Sequence, residues 1–386
     1  MPRSLYSHDA ATGHFSFSEL VQPLKKILFR IPKLESRGYR PLKMTFEQQL
    51  NALIYFHLEE HTSGRHLVQV LQEEDFARSM IAPPDGIHKS SFFEAVNTRG
   101  LQQLTYVFNQ LYAHARTTLP HQYAELGELV SIDGSLIDAV FSMHWADYRD
   151  GAKKAKAHLG FDLNRSIPSK IFLTDGKTGE RPFVKKILKK DQTGVMDRGY
   201  QCHDNFDQWQ AQGKHFICRI TATSTITCLR TNTLVPDSIV FYDAIVLLGM
   251  PRVNQTKKEV RVIKYRIHSK DYWIATDRFD LTAEQIAEIY RLRWNIETFF
   301  AWWKQHLTVY HLIARSKYGF MVQILAGLIT YLLLAIYCRT KFNENVSIKR
   351  VRELQIKIKN EMPFLFQQTM QHNLIDNKFD DLSAKT

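Results

Sequence analysis

Four residues suited to phosphate chemistry stand in one uninterrupted stretch, Leu281 to Leu307: Tyr290, Arg293, Glu297 and Lys304. The stretch opens on a capping box, Thr282 with Gln285, and holds neither Pro nor Gly, so it is expected to form one long helix. At the pitch of an α-helix the four side chains project within an arc of about 60°. A carboxylate flanked by two cations and a phenol can hold a divalent cation and the phosphates around it. Leu292, Ile296, Phe299 and Trp303 form the apolar flank that such a helix needs in order to be held in place. The plain alternative is a solvated face of i, i+4 ion pairs.

Two further acids lie upstream in settings that suit the same chemistry. Asp133 follows the apolar run Leu129-Val130-Ser131-Ile132 and precedes Gly134-Ser135, so it is expected at the end of a strand, where α/β sheets place their reactive groups. Asp197 follows Val195-Met196 and precedes Arg198-Gly199-Tyr200, again a strand-to-turn setting. Three carboxylates suffice to hold two metal ions about 3.5–4 Å apart, the arrangement that cleaves phosphodiesters. In that arrangement Asp133 would bridge the ions, and Asp197 and Glu297 would each complete one shell. All donors are hard oxygens, so the expected cofactor is a pair of Mg2+ ions, with Mn2+ able to substitute. Arg293 and Lys304 cannot ligate metal; their role is to hold phosphates, with Tyr290 donating a hydrogen bond. Trp294 flanks the face and is read either as a platform for an unpaired base, worth about 1–3 kcal/mol, or as ordinary packing.

The spacing Tyr-x2-Arg-x3-Glu-x6-Lys, with Trp294 directly after the arginine, resembles the signature of bacterial insertion-sequence transposases of the DDE type, in the subgroup named for its Tyr, Arg, Glu and Lys (YREK). The Asp-Arg-Gly-Tyr block at Asp197 resembles the block that holds the second acid of the same family. The likeness extends over about residues 129 to 310. It implies an α/β fold: a ribonuclease-H-like catalytic core with a mainly β insertion, the third acid lying on a helix. It also implies cut-and-paste transposition through a hairpin end intermediate. Tyr290, Arg293, Lys304, Trp294 and Arg198 would then meet double-stranded DNA, both transposon ends and target, in a homodimeric synaptic complex of the bacterial cytoplasm and nucleoid.

The remaining chain must position these groups. The 386 residues carry 51 Lys and Arg against 39 acids, a formal charge of +12, which favours a polyanionic partner. Residues 1–125 read as an all-helical DNA-binding domain preceding the core. Its first 45 residues hold eight basic residues against three acidic ones, Asp9, Glu19 and Glu35, with exposed cations expected in the 36–41 loop. Helices are expected over Phe17–Ile31, from Thr45, over Ser63–Met80, over Phe92–Thr98 capped by Ser91, and over Leu101–Thr117. Lys89 and Arg99 would meet the duplex if these helices read DNA as a helix-turn-helix does. Residues 126–220 form the first part of the core, 221–270 the β insertion, 271–345 the second part of the core, and 346–386 a basic helical segment. The 100 residues from Asp197 to Glu297, against 64 from Asp133 to Asp197, leave room for that insertion.

Other patterns weigh less. The four cysteines show no C-x-x-C pair and no standard zinc spacing, so a reducing compartment and no structural zinc are expected. His57-Leu58-Glu59-Glu60-His61 fits H-x-x-E-H, but lacks an evident third ligand and is read as a solvated helix face. Gly319 to Cys338 is apolar enough to cross a bilayer, yet polar Gln323, Thr330 and Tyr331 favour a buried core helix and no membrane partner. A nuclease that cuts without joining, and a DNA-binding regulator without catalysis, compete with the transposase reading.

Overall fold

The computed structural model describes residues 16–34, 42–306 and 311–361. The expected basic loop at 36–41 and the tail beyond 361 lie outside the described residues. The chain divides into two compact units, Met1–Leu111 with Val322–Thr386, and Tyr112–Met321.

In the first unit every regular element among the described residues is helical. α1 is Ser16–Val21, α2 Leu24–Leu28, α3 Phe46–Leu58, α4 Gly64–Glu73, α5 Asp75–Met80, α6 Lys89–Thr98 and α7 Leu101–Thr118, whose last turns enter the second unit. Thr45 and Gln48 close a reciprocal capping box on α3, and Ser63 caps α4 by accepting from the His66 N–H. The expected Ser91 cap does not form: α6 starts at Lys89, behind His88, with no side-chain cap. The single helix expected over 63–80 is two, because Glu74 adopts extended backbone between them. His57 and His61 do not form a solvated face either. They are 0% and 6% exposed; burial pushes His61 down to about 4, and His57 Nε2 lies 3.0 Å from the Gln323 carbonyl.

The second unit is built on one nine-stranded mixed sheet. β1 is Glu128–Asp138, β2 Lys154–Asp162, β3 Ile167–Asp175, β4 Gln192–Met196 and β5 His215–Arg219. They stand in the order 3-2-1-4-5, with β1, β4 and β5 parallel and β2 and β3 antiparallel. β6 Ile226–Thr231, β7 Val240–Leu248, β8 Val260–Ile267 and β9 Lys270–Thr276 continue the same sheet, β9 pairing antiparallel with β5. The mixed α/β class is thus as expected, and the β-rich stretch widens the sheet that holds β1 and β4 rather than forming a layer of its own.

α8 Arg181–Ile187 and α9 His203–Ala211 cover one face, where Val130, Ile132, Met196, Phe216 and Cys218 join Val184 and Phe206 in a buried cluster. Side chains alternate along a strand, so Ser131 and Asp133 face the other way. On that side lie α10 Ala283–Leu292, against β4 and β5, and α11 Trp294–His306, against β1, with Phe299 meeting Phe161 at 5.1 Å. Buried Arg261 of β8 pairs with Asp243 of β7 and donates to the Leu281 carbonyl, fixing where α10 begins.

α12, Lys317–Phe342, is long and apolar enough to cross a membrane by length and composition, and 89% of its most apolar window is buried inside the structure. From Val322 onward it clusters with the N-terminal helices. The division at 321/322 therefore falls inside the stretch 271–345 that the sequence assigned to the core, because a helix apolar on all sides packs wherever helical surface surrounds it.

Candidate functional site

Asp133 is not at a strand end. β1 runs on to Asp138 and Asp133 pairs with Leu159 of β2, but its parallel pairing with β4 stops at Ser131–Val195. The acid therefore stands where β1 and β4 diverge. Asp197 follows β4 immediately and caps the short turn Arg198–Tyr200, its Oδ1 accepting the Gly199 N–H at 2.8 Å. Alternation from Ser131 and Val195 puts both aspartates on the face that α10 and α11 cover.

Burial raises Asp133 to about 7 against a single opposing hydrogen bond from the Gly134 N–H, with Glu180 and Asp197 raising it further and Arg293 opposing. Burial first, and the anions around it second, thus oppose the charged form of this carboxyl. The third acid reaches this group through an arginine. Arg293 Nη1 lies 2.7 Å from Glu297 Oε1, and the same guanidinium feels Asp133 and Tyr290. Burial alone would lower Arg293; these neighbours outweigh it and the net shift is upward.

The expected single helix is interrupted at this arginine. α10 ends at Leu292 and α11 begins at Trp294; the Arg293 N–H donates to the Tyr290 carbonyl, and the Ile296 N–H to that of Arg293. Backbone angles at Arg293 stay right-handed helical, so the break is one tightened turn that no Pro or Gly announced.

Tyr290 and Arg293, expected on a polar presented face, are 3% and 7% exposed. Burial raises Tyr290 to about 12, with Arg293 and Arg219 opposing. Trp294 is 53% exposed, with the Arg293 guanidinium 5.3 Å from its ring. Lys304 Nζ donates to the Leu136 carbonyl at 2.7 Å, joining α11 to β1 just beyond Asp133; burial lowers its pKa, with Asp138 opposing. Arg198 is exposed beside Asp197. Lys89 and Arg99 belong to the other unit. Lys89 is exposed at the start of α6, whereas Arg99 is half-buried and donates to the Met44 carbonyl, so its guanidinium is partly engaged within its own unit.

Two clefts open beside the acids. One, of about 400 Å3, is lined by Gly134, Lys156, Lys177, Glu180 and Lys304. The other, of about 720 Å3, is lined by Arg181, Asp197, Arg198 and His203. The sequence reading missed Glu180 and Tyr200, the two side chains nearest to joining the segments of Asp133 and Asp197. Tyr200 stood inside the quoted Asp-Arg-Gly-Tyr block; Glu180, in a polar turn, carried no signal.

Asp133 and Asp197 suit a hard divalent cation: they are oxygen donors, one of them buried, each adding to the other's charge. The three acids nevertheless do not form a closed cage. Among the described residues no three His, Cys, Asp or Glu side chains are grouped closely enough to hold an ion, and Glu297 gives an oxygen to Arg293 instead.

The sequence profile of the family "Transposase DDE domain" matches residues 125–333. A probable transposase for insertion sequence element IS5377 of Geobacillus stearothermophilus is 27% identical over 222 residues, 57% of this chain and 59% of that protein. A putative transposase for insertion sequence element IS4SA of Synechocystis sp. is 23% identical over 239 residues, 59% of this chain and 65% of the relative. The chain thus spans about three fifths of the length of these relatives. A piggyBac transposase synaptic complex with hairpin DNA overlays at a TM-score of 0.41 and 11% identity, over 94% of this chain and 81% of that one, too low a score to bear on the fold. The family profile covers more than half of the chain, Asp133, Asp197 and Glu297 included, and on that match the chain belongs to the DDE transposase domain family.

Proposed function

We propose that this protein is a DNA transposase that cuts and rejoins DNA strands at the ends of an insertion sequence, on a ribonuclease-H-like core formed by β1 to β5. The observation that carries the reading is that Asp133 and Asp197 stand where β1 and β4 diverge, on the face covered by the helix on which Arg293 pairs with Glu297 at 2.7 Å, in a chain of this family. Asp133 and Asp197, joined by Glu297 once Arg293 releases it, would hold divalent metal, Mg2+ first, which would neutralise the phosphate and activate the attacking oxygen.

The chain's own residues supply the remaining requirements. Arg293, one turn before Glu297, offers a guanidinium that can pass from the carboxylate to a DNA phosphate, exchanging one charge-assisted pair for another. Lys304 holds α11 to the backbone of β1, so a phosphate bound along that helix is registered against Asp133. Trp294, half-exposed beside Arg293, presents a ring on which an unpaired base can stack, as a hairpinned end in the YREK manner would require. Two ends handled together call for two copies of the chain.

Glu297→Gln removes a charge at nearly constant size. The expected outcome is loss of Mg2+-dependent nicking of an end-bearing duplex, with binding to that duplex in Ca2+ retained; a variant that still nicks would remove Glu297 from the site. Products joining a donor end to a target plasmid distinguish a transposase from a nuclease. Hairpinned ends in the time course test the subgroup mechanism.

A further inference from the structure

Glu180 is the first residue before α8, yet its side chain makes no cap on that helix. Its carboxylate lies instead against the backbone of β1. A Cβ built on Gly134 would stand 2.6 Å from Glu180 Oε1 and 2.7 Å from its Cδ, closer than any real side chain allows. A side chain at position 134 would require the end of Glu180 to move. The same carboxylate stands 3.4 Å from Lys156 Nζ, and its charge helps to push up the phenol of Tyr200, which is 1% exposed and raised first by burial. The next residue, Arg181, donates from Nε to the Gly199 carbonyl at 2.9 Å. Of two consecutive residues, Arg181 thus grips the 198–200 turn and Glu180 lies against the strand residue beside Asp133.

We propose that Glu180 is a positioning residue that fixes the distance between the backbone carrying Asp133 and the backbone carrying Asp197. The proposal rests on reading those aspartates as the working carboxylates. Glu180 does not join them as a donor: Gly134 pairs with His158, which stacks on Phe183 of α8, so this contact is on the α8 face, opposite to the one Asp133 points to. Its effect passes through the main chain. The Lys156 pair alone would matter little, since partly exposed ion pairs contribute weakly; the buried Tyr200 hydroxyl and the Gly134 contact give the carboxylate a defined seat.

The test uses the 386-residue chain as wild type, Glu180→Ala, Glu180→Gln and Tyr200→Phe, with three readouts: Mg2+-dependent nicking, thermal midpoint, and amide hydrogen exchange. Glu180→Ala is expected to nick ~10²-fold more slowly, the scale of loss that follows a small misplacement of reacting groups. Its midpoint should stay near wild type while exchange speeds up in residues 131–136 and 198–201 and nowhere else. Glu180→Gln should recover most of the rate, because an amide of the same shape fills the same seat against Gly134 and Tyr200. Tyr200→Phe should reproduce part of the loss, and the double variant should be no worse than the poorer single one. A Glu180→Ala protein with wild-type rate and unchanged exchange overturns the proposal, and so does a Glu180→Gln protein as slow as Glu180→Ala, which would make the charge act directly. Should Glu180→Ala unfold, exchange in Tyr200→Phe decides alone: unchanged rates in both segments overturn the brace. If the wild type never nicks, the functional reading falls while the exchange comparison still decides this one.

Discussion

Burying Asp133 carries an electrostatic cost, and its sign gives a pH dependence. A carboxyl raised to about 7 in the folded chain, from about 3.9 unfolded, is one that the fold prefers neutral. Its contribution is intact at about pH 4 and below, erodes as pH rises through the interval to about 7, and is gone above it. Asp133→Asn fixes the neutral form. In metal-free buffer at pH 8 the variant should be more stable than wild type, by at most about 4 kcal/mol for a shift of about three units, and at pH 4 the two should unfold together. Chemical denaturation at the two pH values checks this; an equal difference at both would mean that packing, not charge, sets the effect. Divalent cation should then stabilise wild type and leave Asp133→Asn unchanged. Arg293 raises a second expectation. Arg293→Ala removes the pair to Glu297 and the proposed phosphate contact together, so end binding should weaken at low salt and the gap should narrow as salt rises.

The elements that hold these residues were legible where a local rule decides them. The Thr282/Gln285 box was readable as letters and is made in full, each side chain accepting the other residue's backbone N–H. Thr282→Ala should therefore cost about 1 kcal/mol, read as a lower denaturation midpoint at unchanged slope; no change would show that α10 is held by Arg261 and its packing alone. Other features were hidden for physical reasons. The second half of β1, Asp133 to Asp138, is too polar to look like a strand, and β2 alone holds it there by main-chain hydrogen bonds. The tightened turn at Arg293 needs no helix breaker, only packing of α10 and α11 on different strands. Glu180 could not be found from spacing, because its meaning lies in a contact with Gly134, 46 residues earlier in the chain.

At the scale of the whole molecule, the sequence announced a basic, mixed α/β chain but not how its helices divide. α12 reads as one apolar span, yet the boundary between the two compact units falls within it, at 321/322, which no hydropathy pattern marks. The charge, by contrast, is a property of the chain that survives any division. An excess of 12 positive charges makes DNA binding an exchange in which condensed counterions leave the duplex. With Glu297→Gln as the non-cutting form, log K for a short duplex should fall linearly against log salt, with a slope steeper than about −4 if at least five phosphates are neutralised, at about 0.9 per phosphate. Replacing exposed Arg198 with Ala should reduce that slope by about one, because a phosphate contact removed is a counterion retained. A flat dependence would mean that the positive charge is spent inside the protein, and that the clefts beside Asp133 and Asp197 do not meet a DNA backbone.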